Sequence, residues 1–347
     1  MAASASVVAQ RLSAGLHKVV VGQDDTIFAL ELALLSQGHA LIEGVPGTAK
    51  TLIVRVLALL LGAEFRRIQF TPDLMPSDVV GTTVFNPKSG EFFTRKGPIF
   101  TNLLLADEIN RTPPKTQSAL LEAMEERQVT IDGVSFPLPP LFMICATQNP
   151  VEYEGTYPLP EAQLDRFMVK CRTGYPSTPE ETDLLSRVAG GFDARFLSRE
   201  GLNAMITEAE LAAAWQDVRD VHVAPGLQRY VLDIVKQTRD AGDVSLGASP
   251  RAGIQLLVAA QAAAAMDGRN FATPDDVKAA ALPVLSHRLL VRPEAEVEGL
   301  VAEDVIKRVL DAVPVPKDAS PAAAQTAAAQ SATPAGQPIR PSAPATQ

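Results

Sequence analysis

The sequence predicts an α/β fold: a parallel sheet carrying a phosphate-binding loop and two hairpin inserts, followed by an all-helical domain. Three observations carry this. Up to about Tyr175, short apolar runs alternate with helix-like stretches, the pattern of strands joined by crossover helices. Several runs, such as Leu103-Leu104-Leu105 and Phe142-Met143-Ile144, are continuously apolar, as expected where both sheet faces are covered. From about Ser177 to Val313 the punctuation changes to repeated helix-start signals.

Taken in order, strands are expected at His39–Glu43, Arg66–Phe70, Asn102–Asp107, Leu141–Thr147 and Phe167–Arg172. Helices are expected at Thr51–Leu61 and Pro114–Arg127, between those strands. Thr82–Phe85 and Glu91–Thr94 flank the turn Asn86-Pro-Lys-Ser-Gly90 and read as a hairpin. Gln128–Ile131 and Val134–Phe136 flank Asp132-Gly133, a strong two-residue hairpin signal. In the helical half, Thr178-Pro-Glu-Glu181, Thr207-Glu-Ala-Glu210 and Thr273-Pro-Asp-Asp276 have the form of capping boxes. In two of them a proline takes the first helical position. Ser249-Pro250 gives a similar start before Arg251–Met266. Asp318–Gln347 is nearly all Ala, Pro, Ser, Thr and Gln and cannot bury enough apolar surface to offset its ordering entropy. The expected organisation is an α/β domain over 1–175, a helical domain over 176–313 and a disordered tail over 314–347.

The chemistry begins at Gly44-Val45-Pro46-Gly47-Thr48-Ala49-Lys50-Thr51. This matches the phosphate loop G-x-x-x-x-G-K-[ST], except that Ala49 stands at the second glycine position. A strand precedes the loop and a helix follows it, as the motif requires. Successive backbone N–H groups and the helix N-terminus would cradle phosphate. Lys50 would reach the β- and γ-phosphates of a nucleotide, and Thr51 would ligate Mg²⁺. Ala49 tolerates unusual backbone angles less well than glycine. A second signal is the strand Asn102–Asp107 followed by Glu108. An isolated acidic pair after a strand ordinarily caps a helix or lies in a solvated turn. Beside a phosphate loop it reads differently, because ligands sit beyond the carboxyl ends of parallel strands. Asp107 would hold Mg²⁺ through water, and Glu108 would polarise the attacking water. The strand Leu141–Thr147 ends in Gln148-Asn149-Pro150 and could place Asn149 against the γ-phosphate.

Composition narrows the function classes. Among 347 residues, 31 Lys plus Arg against 40 Asp plus Glu leave a net charge of −9. That balance argues against a chain that coats nucleic acid by phosphate neutralisation. Two cysteines, Cys145 and Cys171, exclude a disulfide scaffold or a four-cysteine metal site, and both read as core. The four histidines have no ligand spacing. No apolar run approaches the ~20 residues a bilayer requires, and the start lacks a basic region ahead of an apolar one. A cytoplasmic protein is expected.

Together these segments closely resemble the MoxR family of AAA+ ATPases. The resemblance rests on Glu43–Thr51, on Phe70-Thr-Pro-Asp-Leu-Met-Pro-Ser-Asp78, on Asp107-Glu-Ile-Asn-Arg-Thr-Pro-Pro-Lys-Thr-Gln-Ser-Ala-Leu-Leu-Glu-Ala-Met124, on Ala146-Thr-Gln-Asn-Pro150 and on Tyr157-Pro-Leu-Pro-Glu-Ala-Gln-Leu-Asp-Arg-Phe167. It covers roughly Val19 to Val313, and at this level Ala49 is an ordinary occupant of its position. It implies a P-loop AAA+ parallel-sheet core with hairpin inserts and an all-helical lid. Asn149 then matches the sensor-1 residue, Arg166 the arginine finger that reaches a neighbouring subunit's nucleotide, and Arg251 the sensor-2 arginine. Gly22-Gln23 falls in the segment near the adenine, and the two hairpins tend to face a pore or a client. The implied working form is a hexameric ring that hydrolyses ATP with Mg²⁺ to remodel protein complexes, in metal or cofactor insertion or complex maturation, with a von Willebrand factor A domain partner. Two other classes share the motifs. One is a nucleic-acid-acting ring motor, against which the low pI and lack of basic runs count. The other is a nucleotide-gated switch without turnover, against which intact Asp107, Glu108, Asn149 and Arg166 count.

Overall fold

The computed structural model describes residues 4–149 and 156–316. The Ala/Pro tail, from 317 on, and Pro150 lie outside the described residues. Helices α1 (Ser4–His17) and α2 (Asp24–Leu35) lead into β1 (Ala40–Gly44), the phosphate loop and α3 (Lys50–Leu60). Then follow β2 (Phe65–Gln69), α4 (Pro76–Val80), the hairpin β3 (Gly81–Asn86) and β4 (Glu91–Lys96), and β5 (Leu103–Asp107). A short 3-10 turn (Ile109–Arg111) connects to α5 (Pro114–Glu126), the hairpin β6 (Gln128–Ile131) and β7 (Val134–Pro137), β8 (Met143–Gln148), α6 (Glu161–Leu164) and β9 (Val169–Thr173). The second half holds α7 (Thr178–Ala189), α8 (Glu208–Asp220), α9 (Pro225–Asp240), β10 (Val244–Leu246), α10 (Pro250–Met266), α11 (Pro274–Leu285), β11 (Leu290–Val291), α12 (Pro293–Val297) and α13 (Ala302–Ala312).

Five strands form one sheet in the order β2-β5-β8-β1-β9, every pairing parallel. All five expected strands are present, with ends displaced by at most two residues, and both hairpins form. The continuous apolar runs are explained by two cores. On β5, Leu103 and Leu105 face a core shared with α1, α2, α3 and the later helices, while Leu104 and Ala106 face one built with α5 and β6. Cys145 and Cys171 are buried free thiols in the first of these cores. Trp215 joins the same core and donates its indole N–H to Leu34 O at 2.9 Å.

The capping boxes at Thr207 and Thr273 form as expected. The first box is corrected by one residue. Glu180 Oε2 accepts from both the backbone N–H and the Oγ of Ser177, at 2.6 and 2.7 Å, so Ser177 is the cap. Pro179 therefore falls at the second helical position, not the first. Consecutive Ser177-Thr178 offer two hydroxyls, and the one three residues before Glu180 wins. Among the described residues no helix is long and apolar enough to cross a membrane.

Candidate active site

The parallel sheet brings the carboxyl ends of β1, β5 and β8 together. There a cavity of about 410 Å³ is lined by Pro46 to Leu52, Asp107, Glu108, Thr147, Gln148 and Asn149. The loop leaves β1 at Gly44, where a Cβ would lie 2.1 Å from Thr173 Oγ1, so only glycine allows β9 this close. Thr48 Oγ1 reaches Thr173 Oγ1 at 2.7 Å and donates to Val45 O at 2.9 Å, pinning the loop to β9. Ala49 takes the left-handed conformation at φ 60° that its position demands of glycine, at a cost of about 1–2 kcal/mol for a residue with a Cβ. Lys50 Nζ donates to Gly44 O and Val45 O, both at 2.7 Å. Burial pushes its ammonium below the usual lysine range, opposed by the charges of Asp107 and Glu108.

Asp107 is buried at the end of β5. Its Oδ1 accepts from Thr147 Oγ1 at 2.5 Å, and its Oδ2 accepts from Arg67 Nε at 3.0 Å. Glu108 leaves the strand in a left-handed turn at φ 58°, its N–H donating to Thr147 Oγ1 at 2.9 Å. That turn aims its carboxylate at Gln69 Nε2, 2.7 Å away, and at Arg111 Nε, 3.1 Å away. Asn149 is buried at the end of β8 on the cavity wall. Thr51 and Asp107 are a sparse oxygen set. Among the described residues no cluster of three or more His, Cys, Asp or Glu could hold a metal. The donors fit Mg²⁺ that arrives with phosphate oxygens and keeps several waters. Gly22 and Gln23 both adopt positive φ ahead of α2. Gln23 Nε2 donates to Gly174 O at 3.0 Å, one residue past the Thr173 that touches the loop, so this turn flanks the phosphate loop.

Arg166 and Arg251 are elsewhere. Glu125 holds both, through Oε2 to Arg166 Nη2 at 3.2 Å and Oε1 to Arg251 Nη1 at 3.0 Å. Neither arginine lines the cavity. The topology explains this. Arg166 precedes β9 while the cavity lies beyond the strands' carboxyl ends, and Met168 N–H pairs with His39 O just before β1 begins. The length of β9, about 13 Å at ~3.3 Å per residue, separates the two. Asp165 ties the arginine pair together. Its Oδ1 accepts from Arg288 Nε at 2.7 Å, and its Oδ2 from Ser249 Oγ, the cap of α10, at 3.2 Å. Arg67, Gln69, Arg111, Glu125 and Arg288 carry no sequence signal as isolated residues. Two successive arginines on a strand beside an acidic strand end would have pointed to Arg67.

The fold and the cavity define a P-loop ATPase core of the AAA+ class with a helical lid. Residues 39–169 match the ATPase family associated with various cellular activities (AAA), and residues 236–309 match the AAA lid domain. The chain belongs to the MoxR family of these ATPases. It is 42% identical to Chaperone MoxR1 of Mycobacterium tuberculosis, over 87% of this chain and 81% of that protein. It is 49% identical to the uncharacterized protein YeaC of Bacillus subtilis, over 87% of this chain and 92% of the relative. A crystal structure of a candidate ATPase from Cytophaga hutchinsonii superposes with TM-score 0.81 at 39% identity, covering 90% of this chain and 97% of that one.

Proposed function

We propose that this protein binds ATP with Mg²⁺, hydrolyses it in a hexameric, head-to-tail ring, and uses the cycle to remodel protein complexes. The observation that carries the hydrolytic reading is the convergence of Lys50, Thr51, Asp107, Glu108 and Asn149 on one cavity. Bound Mg²⁺ would neutralise charge on the β- and γ-phosphates. The loop amides and Lys50 would bind the phosphates, and Thr51, with Asp107 through water, would hold the metal. Glu108 takes a proton from the attacking water while Asn149 orients it. Gln69 and Arg111 steady the Glu108 carboxylate, and Thr147 fixes its backbone. Gly22 and Gln23 border the base.

Arg166 and Arg251 serve a neighbouring subunit's nucleotide, because the length of β9 keeps both from their own cavity. A cation supplied in trans stabilises transition-state charge and is worth ~10³–10⁵ in rate. The remodelling role is supported by the chaperone name of the Mycobacterium relative and by the exposed Phe85, Phe92 and Phe93 on the β3–β4 hairpin, a surface for a protein client. A von Willebrand factor A domain partner, a role in metal or cofactor insertion and a cytoplasmic setting follow from the family resemblance. The test mixes two inactive variants, Glu108→Gln and Arg166→Ala. Mixed rings contain interfaces with an intact Glu108 on one side and an intact Arg166 on the other, so ATPase activity should reappear. No activity at any mixing ratio would remove Arg166 from the proposed role.

A further inference from the structure

Helix α7 is an anomaly in a folded chain: none of its twelve residues is buried. It nevertheless carries an apolar stripe, with Leu185 73% and Val188 61% exposed beside the half-buried Leu184. A helix with such a stripe ordinarily packs it against another element. A second unpartnered apolar feature lies in the same molecule. Between α9 and α10 runs a groove of about 300 Å³, walled by Val231, Leu232, Val235, Ile254 and Leu257, with Ile254 65% exposed.

The two features lie at opposite ends of the sheet. Helix α7 starts just past the carboxyl end of β9, where Thr173 touches the phosphate loop and Gln23 reaches Gly174. Glu180 of its first turn lies against Gly22. The groove includes Pro250 and Gly253, the neighbours in sequence of Arg251 and its helix start, at the amino end beside Glu125. A chain cannot fold its own α7 into its own groove across that separation. Once Arg251 approaches a second copy's nucleotide, the adjoining groove comes to face the flank of that nucleotide, which is where the second copy's α7 begins. Charge agrees with this: α7 exposes Glu181, while its Asp183 pairs with Arg187 of the same helix at 2.8 Å, and the groove rim exposes Arg239.

We propose that the exposed apolar face of α7 docks into the α9–α10 groove of the next copy of this chain, a heterologous contact that closes into a ring. The proposal rests on the reading that Arg166 and Arg251 act in trans, and it adds the surface that brings them there.

The experiment is cysteine crosslinking of the full chain carrying both Leu185→Cys and Ile254→Cys, with Mg²⁺ and a non-hydrolysable ATP analogue under mild oxidation. Both native cysteines are buried. Expected is a ladder of covalent oligomers on a non-reducing gel. A mixture of the two single variants should stop at dimers, and each single variant alone should give none. The wild-type mass in solution is measured in parallel. Assembly of the wild type without crosslinking of the double variant would overturn the docking and leave the trans reading standing. Absence of assembly would overturn both. Dimers from Leu185→Cys alone would mean that α7 packs on itself, which also overturns the proposal. Independently, Leu185→Asp and Ile254→Asp, both at exposed positions, should each raise the assembly midpoint at least tenfold with an unchanged melting temperature. An unchanged midpoint in both counts against the docking.

Discussion

Thr147 Oγ1 accepts from the Glu108 N–H and donates to Asp107 Oδ1, so one hydroxyl sets the geometry of both acidic residues. Thr147→Val keeps the volume but leaves a buried donor and a buried acceptor unpaired, at about 1–3 kcal/mol. Because each ~1.4 kcal/mol is tenfold in rate, kcat should fall roughly 10- to 100-fold. ATP affinity should hold, and Thr147→Ser should recover most of the rate. Steady-state kinetics with a separate nucleotide-binding titration checks this. An equal loss in binding would mean that Thr147 shapes the loop and not the acidic pair. The acidic pair and the phosphate loop were legible because each is a contiguous motif with a chemical rationale. Thr147 lies inside a recognisable strand, but its role comes from contacts 39 and 40 residues away in sequence. No local pattern reports such contacts. Ala49 is the opposite case: the doubt over its backbone was readable, and the left-handed turn realises it.

At the scale of elements, α6, α10 and α11 meet through Asp165. Arg288 is 1% exposed in its side chain. Besides Asp165 it donates to the carbonyls of Met168, Phe167 and Val284. Removing a partner from a buried charge costs about 3–5 kcal/mol. Asp165→Ala should therefore lower the unfolding free energy by about that amount, whereas Arg166→Ala, one residue on and exposed to solvent on one side, should cost under ~1 kcal/mol. Urea unfolding of the two variants side by side decides it, and equal losses would deny Asp165 its role as the joint. Helix starts were readable because caps are local chemistry. The start of helix α7 is equally readable, but its missing burial is not, since amphipathic spacing says which face is apolar but not what covers it.

Across the whole molecule, two buried ionisable groups act in opposite directions on stability. Glu31 of α2 is buried, and desolvation pushes its carboxyl up to about 8. The folded state then holds its proton more tightly than the unfolded chain. Its stabilising contribution is full below about pH 4.5 and is lost as pH rises through 8. His39 is buried and neutral, its Nδ1 accepting from Ile144 N–H at 3.0 Å and its Nε2 directed at Met124 O. Burial lowers its pKa to about 4, so its contribution is full above pH 6.5 and lost as pH falls through 4. The two slopes oppose one another between about 4.5 and 6.5, and on the alkaline side, above 6.5, Glu31 acts in the same direction as His17, whose hydrogen bond to Asp24 raises its pKa. Glu31→Gln should flatten that side and add on the order of 3 kcal/mol at pH 7. Melting temperature against pH checks both statements, and a wild-type profile that is flat from pH 6.5 to 8 would sink the assignment. The α/β layering itself was legible because periodicity and turns are local and repeated. Charge burial was not, because it depends on how separate elements enclose a side chain.

The short strand β9 spans five residues, Val169–Thr173, between the arginines and the phosphate loop. If, as proposed, the arginines held a strand's length from their own nucleotide act in trans, every active centre is a property of a joint between two chains. A closed circle of n subunits has n such joints, while an open arc of the same size has n − 1, with one idle nucleotide at one end and one idle arginine pair at the other. A lone subunit has none. Activity per chain should therefore climb with concentration and jump when the last gap closes, so that dilution alone works as an off switch.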